Sequence, residues 1–267
     1  MPTTSAPSLQ EIQTASTNLN LNLGPWSYSK LKLFENCPRL FQAKYLTRKY
    51  KEPGVQFDSI PSKVGTFIHA VIADCLEKGV DKYHFNTVWI DLSKVHRLLS
   101  EERDIAHTLK YHAQAIIIKL EAAIKRYQLN LFLEKKICIS GLLAYIDFLG
   151  ITSRSKSAIV LDHKTHKSTP ERLSLVQDQL SFYALCVFMQ YPSLHFIQAG
   201  CSFVPDEKVA LENITPRTDL PDLLQAWGTR LNAAVTQIQE GTFPAKKGPA
   251  CAWCKDSSCA LLPKKNR

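Results

Sequence analysis

No stretch of this 267-residue sequence approaches the roughly 18 consecutive apolar residues that a membrane-spanning helix requires, so a helical channel or anchor is not an expected reading. A GxxxxGK[ST] phosphate-binding loop is missing as well, and any unwinding of a duplex must therefore come from a partner. There is no internal repeat. Lys and Arg are absent from the first 24 residues, which also hold no long apolar block. That layout is not a secretory signal, and residues 1–24 read as a flexible arm. Eight cysteines would suit a disulfide scaffold in a short secreted chain, but Cys75, Cys138, Cys186 and Cys201 sit singly in apolar surroundings, as reduced core thiols do. The expected compartment is the cytoplasm.

What is present is a basic chain with the means to build a core. Lys plus Arg number 33 against 24 Asp plus Glu, a formal charge of +9, and 45% of the residues are hydrophobic. A polyanion such as nucleic acid is the first class of partner this suggests, an anionic membrane surface the second. Charge alone describes a merely soluble basic protein equally well.

Apolar spacing places the elements. Leu31, Phe34, Leu40, Phe41 and Tyr45 recur at helical intervals interrupted at Cys37-Pro38, where one helix hands over to another. Lys51 to Pro61 reads as a loop. Phe67, Ile68, Val71, Ile72, Cys75 and Leu76 form a stripe closed by Gly79, and Ile105, Leu109, Ala113, Ile116, Leu120, Ile124 and Tyr127 predict one long helix over 103–128. The apolar, β-branched runs over 135–151 and 157–164 predict strand, turn and strand, with TSRSKS as the turn. A helix opening at Ser168-Thr169-Pro170-Glu171, a strand over HFIQAGCSFV and a helix ending at Gly241 follow.

In the hairpin the chemistry begins. With the turn centred between Arg154 and Ser155, antiparallel register sets Asp147 opposite Asp162. Opposed side chains have Cβ atoms about 4.5–5.5 Å apart, where like charges destabilise unless neutralised. A divalent cation would neutralise them; hard oxygen ligands suit Mg²⁺ or Mn²⁺, and Lys164, on the same face as Asp162, would stand beside it. The alternative on these residues alone is a surface hairpin whose acids are solvated and paired by Lys164, since a slip of one residue inverts the face.

The joint order of these residues with others resembles the PD-(D/E)xK nuclease superfamily, specifically its RecB-like branch. Gly65 with His69, Ile146-Asp147, Leu161 to Lys164, and Gln179 with Tyr183 follow its pattern, while Ser27, Ser29, Leu31 and Cys37 to Phe41 resemble its opening segment. The resemblance implies an α/β fold with a restriction-endonuclease-like core, a central mixed sheet flanked by helices, and N- and C-terminal segments joined by a Cys₄ cluster. It implies one nuclease domain over 25–267, with a helical insertion at about 80–130 and a Cys-rich tail over 244–267. His69, Asp147 and Asp162 would bind the metal with the main-chain carbonyl of His163, whose side chain points to the opposite face. Lys164 would orient or activate the attacking water. Gln179 and Tyr183, four residues apart on a helix, would face the site together. Glu134 is a weaker candidate for a supporting acid.

Cys251, Cys254 and Cys259 complete the layout of the branch's iron–sulfur members, AddB-type helicase-nuclease subunits and CRISPR-associated nucleases, with Cys37 as the natural fourth ligand. The resemblance favours a [4Fe–4S] cluster; Cys₄ sites also take zinc, and spacing does not separate the two. The implied function is a Mg²⁺- or Mn²⁺-dependent DNA nuclease, a single-strand or end-directed exonuclease in recombination, repair or phage or CRISPR processing, with a helicase or recombination protein as a further partner and no membrane. Trp26, Tyr28 and Phe34 are candidate stacking surfaces for DNA, or core. The alternative is a catalytically silent DNA-binding or scaffold subunit of a recombination complex.

Overall fold

The computed structural model describes residues 23–47, 60–79, 82–152, 154, 156–252, 254, 256 and 259–261. Of the expected N-terminal arm, only Leu23 and Gly24 fall within this set, and of the expected loop from Lys51 to Pro61 only the last two residues do. Those two open a helix instead. The chain groups into two compact units, the larger within Phe57–Ile137 and Tyr145–Leu220, the smaller within Met1–Gln56, Cys138–Ala144 and Pro221–Arg267.

Strands β3 (Leu142–Thr152), β4 (Ser157–Lys164), β5 (Phe196–Phe203) and β6 (Lys208–Pro216) pair in that order, and β2 (Asn130–Ile139) pairs with β3; all but Cys138–Ile139 of β2 and Leu142–Ala144 of β3 belongs to the larger unit. The β3–β4 ladder is antiparallel and runs from Thr152 opposite Ser157 to Phe148 opposite Leu161, which is the register predicted from the turn. β4 and β5 are parallel, with Asp162 beside Cys201, His163 beside Ser202 and Lys164 beside Phe203. β5 and β6 are antiparallel, with an irregularity between Gln198 and Gly200. The sheet is therefore mixed.

Helices cover the sheet because its two faces carry different residues. Phe148 and Leu161 join an apolar cluster with α3 (Ile60–Lys78), α4 (Lys82–Val95), α5 (Ser100–Thr108) and α6 (Lys110–Tyr127). The stripe Phe67, Ile68, Val71, Ile72 and Cys75 on α3 is wholly excluded from solvent, as its 3.6-residue spacing requires. The other face receives α7 (Pro170–Gln190), which packs on β4 and β5. Thr169 caps α7 by accepting from the Arg172 amide, with Pro170 in the first turn, where its missing N–H costs nothing.

In the smaller unit β1 (Trp26–Ser27) pairs in parallel with Leu142 and Leu143. Ser27 caps α1 (Tyr28–Asn36), and Cys37 leaves it in an extended conformation before α2 (Pro38–Phe41), as a residue preceding proline must. Trp26 stacks on Phe41 at 5.7 Å and Phe34 meets Phe41 edge-on at 5.1 Å. Lys30 is buried beneath them, its ammonium bonded to the carbonyls of Leu23, Gly24 and Pro25 and lying 5.0 Å from the Trp26 ring; burial pushes its pKa down to about 8. Helix α8 (Leu220–Gln239) contributes Arg230, which grips Glu35 through two bonds of 2.7 and 2.8 Å.

Four expectations need correction. The predicted helix over 103–128 is two helices, interrupted at Leu109. The strand predicted over 135–151 is two strands turning at Ser140 and Gly141, whose φ values of 47° and 77° suit a tight two-residue hairpin. β6 was not anticipated; it carries the exposed Leu211 and Ile214 along an outer position of the sheet. Cys75, Cys186 and Cys201 are buried as expected, but Cys138 is exposed because it points outward from β2.

Gly200 is required by the β5–β6 contact. A Cβ there would stand 2.2 Å from the Ala210 carbonyl oxygen and 2.8 Å from Leu211 Cα, both main-chain atoms. Gly200→Ala is expected to destabilise the protein by about 1–3 kcal/mol, lowering Tm by about 2–4 °C per kcal/mol in thermal unfolding.

Candidate active site

The site lies where β3 and β4 leave their ladder. Asp147 follows the last paired residue of β3 towards its N-terminal end, and Asp162 and Lys164 share one face of β4 by strand alternation. All of its residues belong to the larger unit.

Asp147 and Asp162 are 8% and 5% exposed, and different groups compensate each. The Asp147 Oδ2 accepts the His163 amide at 2.6 Å and lies 3.4 Å from His69 Nδ1 on α3. Burial would raise its pKa, but His69 and the His163 amide outweigh that and hold it below the usual carboxylate range. Burial lowers the His69 pKa, and Asp147 more than restores it, so the ring is raised above an ordinary histidine.

Asp162 takes its partners from α7 and from its own strand. Oδ1 accepts Gln179 Nε2 at 2.9 Å and the Tyr183 hydroxyl at 3.3 Å. Oδ2 makes no aligned hydrogen bond, though Lys164 Nζ stands 2.5 Å from it as an ion pair. Gln179 also donates to the Tyr183 oxygen at 2.7 Å and accepts from Lys164 Nζ at 3.2 Å, so one helical turn of α7 binds both the acid and the base. Burial drives the Asp162 pKa up despite Lys164, and burial also raises that of Tyr183, which stays a neutral hydroxyl.

The structure brings Glu134 further into the site than its expected supporting part. Ligand atoms of His69, Glu134 and Asp147 all lie within 4.8 Å of one another. Glu134 has φ of 45°, a left-handed conformation that breaks the alternation of β2. A non-glycine residue held there is a local cost that clusters at functional sites. Burial, then the charge of Asp147, raises its pKa. Ser202 was not anticipated at all: it sits beside His163 in the parallel β4–β5 register and bonds His163 Nδ1. Only the pairing of two strands separated by a helix reveals it. The His163 ring is buried and turned towards the α3 side, edge-on to His69 at 5.5 Å; burial lowers its pKa to about 4, and its Nε2 makes no hydrogen bond.

These donors fit a hard divalent cation. Two carboxylates and an imidazole within 4.8 Å form an oxygen-rich set of the kind that suits Mg²⁺ or Mn²⁺; Asp162, expected to share the ion with Asp147, lies outside that group. The compensation already in place is incomplete, since burial raises both Glu134 and Asp162, and a cation would remove that penalty.

In the smaller unit Cys37, Cys251, Cys254 and Cys259 all line one cavity of about 240 Å³, together with Lys246 and Leu40. Arg39 and Asp256 form a 2.7 Å ion pair, and Lys246 donates to the Glu35 carbonyl at 3.0 Å, fastening the tail to α1 and α2. Among the described residues no three of these sulfurs come within 4.8 Å of one another. Trp26 and Phe34 are buried in this unit and Tyr28 lies edge-on to Trp227 at 6.3 Å, so the three candidate stacking aromatics serve packing.

Saturating Mn²⁺ or Mg²⁺ is expected to raise Tm, by the equivalent of about 2.7 kcal/mol at one hundred times Kd. Glu134→Gln and Asp147→Asn should each abolish most of that rise in a thermal-shift titration. The rise should shrink as pH falls, because protons compete for the same donors.

No curated protein matches the chain. Among solved structures, a crystal structure of a “Putative exonuclease” from Eubacterium rectale is similar over 94% of this chain and 92% of its own, at 12% identity and a TM-score of 0.51, a likeness of fold. The family model described as the PD-(D/E)XK nuclease superfamily matches residues 25–259. The chain belongs to the PD-(D/E)XK nuclease superfamily.

Proposed function

We propose that this nuclease is a Mg²⁺- or Mn²⁺-dependent deoxyribonuclease of the RecB-like branch, acting on single strands or from free ends. The observation that carries the reading is the single network joining Asp162, Lys164, Gln179 and Tyr183 next to the converging ligand atoms of His69, Glu134 and Asp147. A scaffold has little use for a buried carboxylate ion-paired to a lysine beside a second acidic cluster, because such pairs seldom add stability.

His69, Glu134, Asp147 and Asp162, with the main-chain carbonyl of His163, are the residues that would hold the cation. When bound, it would stabilise charge building on the phosphate and lower the pKa of a coordinated water. Lys164 orients the attacking water; its ammonium is fixed between Asp162 Oδ2 and Gln179 Oε1. Tyr183, neutral and buried, fixes the second oxygen of Asp162 and the amide of Gln179, so that Asp162 keeps one orientation. The neutral His163 ring, anchored to Ser202, packs behind His69. The net charge of +9 favours a phosphate backbone.

Labelled single- and double-stranded DNA incubated with Mg²⁺ or Mn²⁺ tests this. Asp162→Ala and Lys164→Ala should each lower cleavage by about 10²–10³-fold while DNA binding survives. Equal cleavage by the parent and both variants would reject the enzymatic assignment and leave a binding subunit. Substrates blocked at one terminus report whether degradation starts from an end.

The cysteine cavity is proposed to hold a [4Fe–4S] cluster in a structural role. Its four thiols supply the usual ligand number. A tetrahedral zinc site with Zn–S near 2.3 Å draws its sulfurs to about 3.8 Å from one another. A [4Fe–4S] cubane takes one cysteine sulfur at each of its four irons and so holds its thiols farther apart. Anaerobically purified protein is expected to be brown, with about four iron and four sulfide per chain. Colourless protein with stoichiometric zinc would reject the cluster.

A further inference from the structure

Tyr145 is a large aromatic residue left 52% exposed on β3, two positions before Asp147. Alternate residues of a strand share a face, so its ring rises on the same side as the Asp147 carboxylate, about 7 Å along the strand. Its neighbours Ala144 and Ile146 are buried on the opposite face, which fixes that orientation. Lys136, on the adjacent strand β2, places its ammonium over the ring at 6.0 Å from the centroid. The lysine lies against the ring, and the residue as a whole stays half exposed.

We propose that Tyr145 is a stacking platform for the nucleobase next to the phosphate engaged at the acidic cluster, and that Lys136 contacts the adjoining backbone. This rests on the nuclease reading above and deepens it by naming the substrate as an unpaired strand. Bases within a duplex already stack on one another, whereas a splayed single strand offers its π-faces to an aromatic ring without sequence preference. The step from Tyr145 to Asp147 is comparable with the separation of neighbouring phosphates in an extended strand. A base on the ring and its phosphate at the carboxylates therefore belong to one nucleotide or to adjacent ones. The basic residue beside the ring suits that arrangement, since it neutralises the strand where the acids would repel it.

The test is fluorescence anisotropy in EDTA, comparing a short oligothymidylate with an abasic deoxyribose-phosphate strand of equal length. Native protein should bind the strand with bases about 5-fold to about 100-fold more tightly. Tyr145→Ala should remove most of that preference and leave affinity for the abasic strand unchanged. Tyr145→Phe and Tyr145→Trp should retain the preference. Lys136→Ala should weaken both strands alike and lower the magnitude of the salt slope by about 0.7. No base preference in the native protein, or an undiminished one in Tyr145→Ala, overturns the proposal. Because the measurement needs no cleavage, a protein that stacks bases but does not cut would sink only the enzymatic reading. Cleavage with a base preference independent of Tyr145 would sink only this one.

Discussion

Two carboxylates held out of water near one another are the constraint from which the rest of the site follows. Their mutual repulsion grows as the local dielectric falls, so each needs its own compensating partners or a shared cation. The chain keeps them apart chemically. Asp147 receives a main-chain amide and an imidazole and stays ionised, whereas Asp162 receives a lysine, an amide and a hydroxyl but is still raised by burial. The imbalance is what makes the position receptive to a cation; a fully satisfied pair would have no such need.

Rigidity around that charge comes from the strands. β4 is hydrogen-bonded to β3 along one edge and β5 along the other, and its alternation separates two functions. Leu161 and His163 pack towards α3, while Asp162 and Lys164 face α7. The parallel β4–β5 pair requires a crossover, and α7 is that crossover. The helix that the topology demands thus also delivers Gln179 and Tyr183 to Asp162. A polar network of this kind is worthwhile only when nearly complete, because each orphaned buried group costs about 1–3 kcal/mol.

Much of this was legible because it is local. The TSRSKS turn sets the β3–β4 register, the four-residue spacing of Gln179 and Tyr183 sets a common helical face, and the Cys37-Pro38 step sets the break between α1 and α2. What escaped depends on contacts distant in sequence or on backbone states without a pattern. Glu134, expected only as a supporting acid, reaches the cluster through its own left-handed conformation inside a strand, which no alternation rule anticipates. Ser202 becomes a partner of His163 only once β5 docks on β4. β6 mixes exposed apolar residues with polar ones without a period-2 pattern, so its sequence does not announce a strand. The Ser140-Gly141 turn was hidden by apolar residues on both sides, which made two strands look like one. Of the two readings of Trp26, Tyr28 and Phe34, DNA stacking or core, packing is the one their contacts fit.

The tail raises a separate question of magnitude. Among the described residues between Gln239, the end of α8, and Cys259, the regular structure is a short 3₁₀ turn at Pro249–Ala252. Closing such a segment costs about 2–3 kcal/mol in chain entropy beyond the constant term. Polar ties among the described residues include the Arg39–Asp256 pair and the Lys246 bond to the Glu35 carbonyl, and Arg39 is more than a third exposed. An exposed ion pair contributes about 0.2–1 kcal/mol. Burial of Cys259 adds to them, but a cysteine is a small hydrophobe. The four thiols lining one cavity are further groups placed to hold the tail. The proposed cluster would fasten the last segment to the first helices and leave the chemistry to the acids and the lysine of the larger unit.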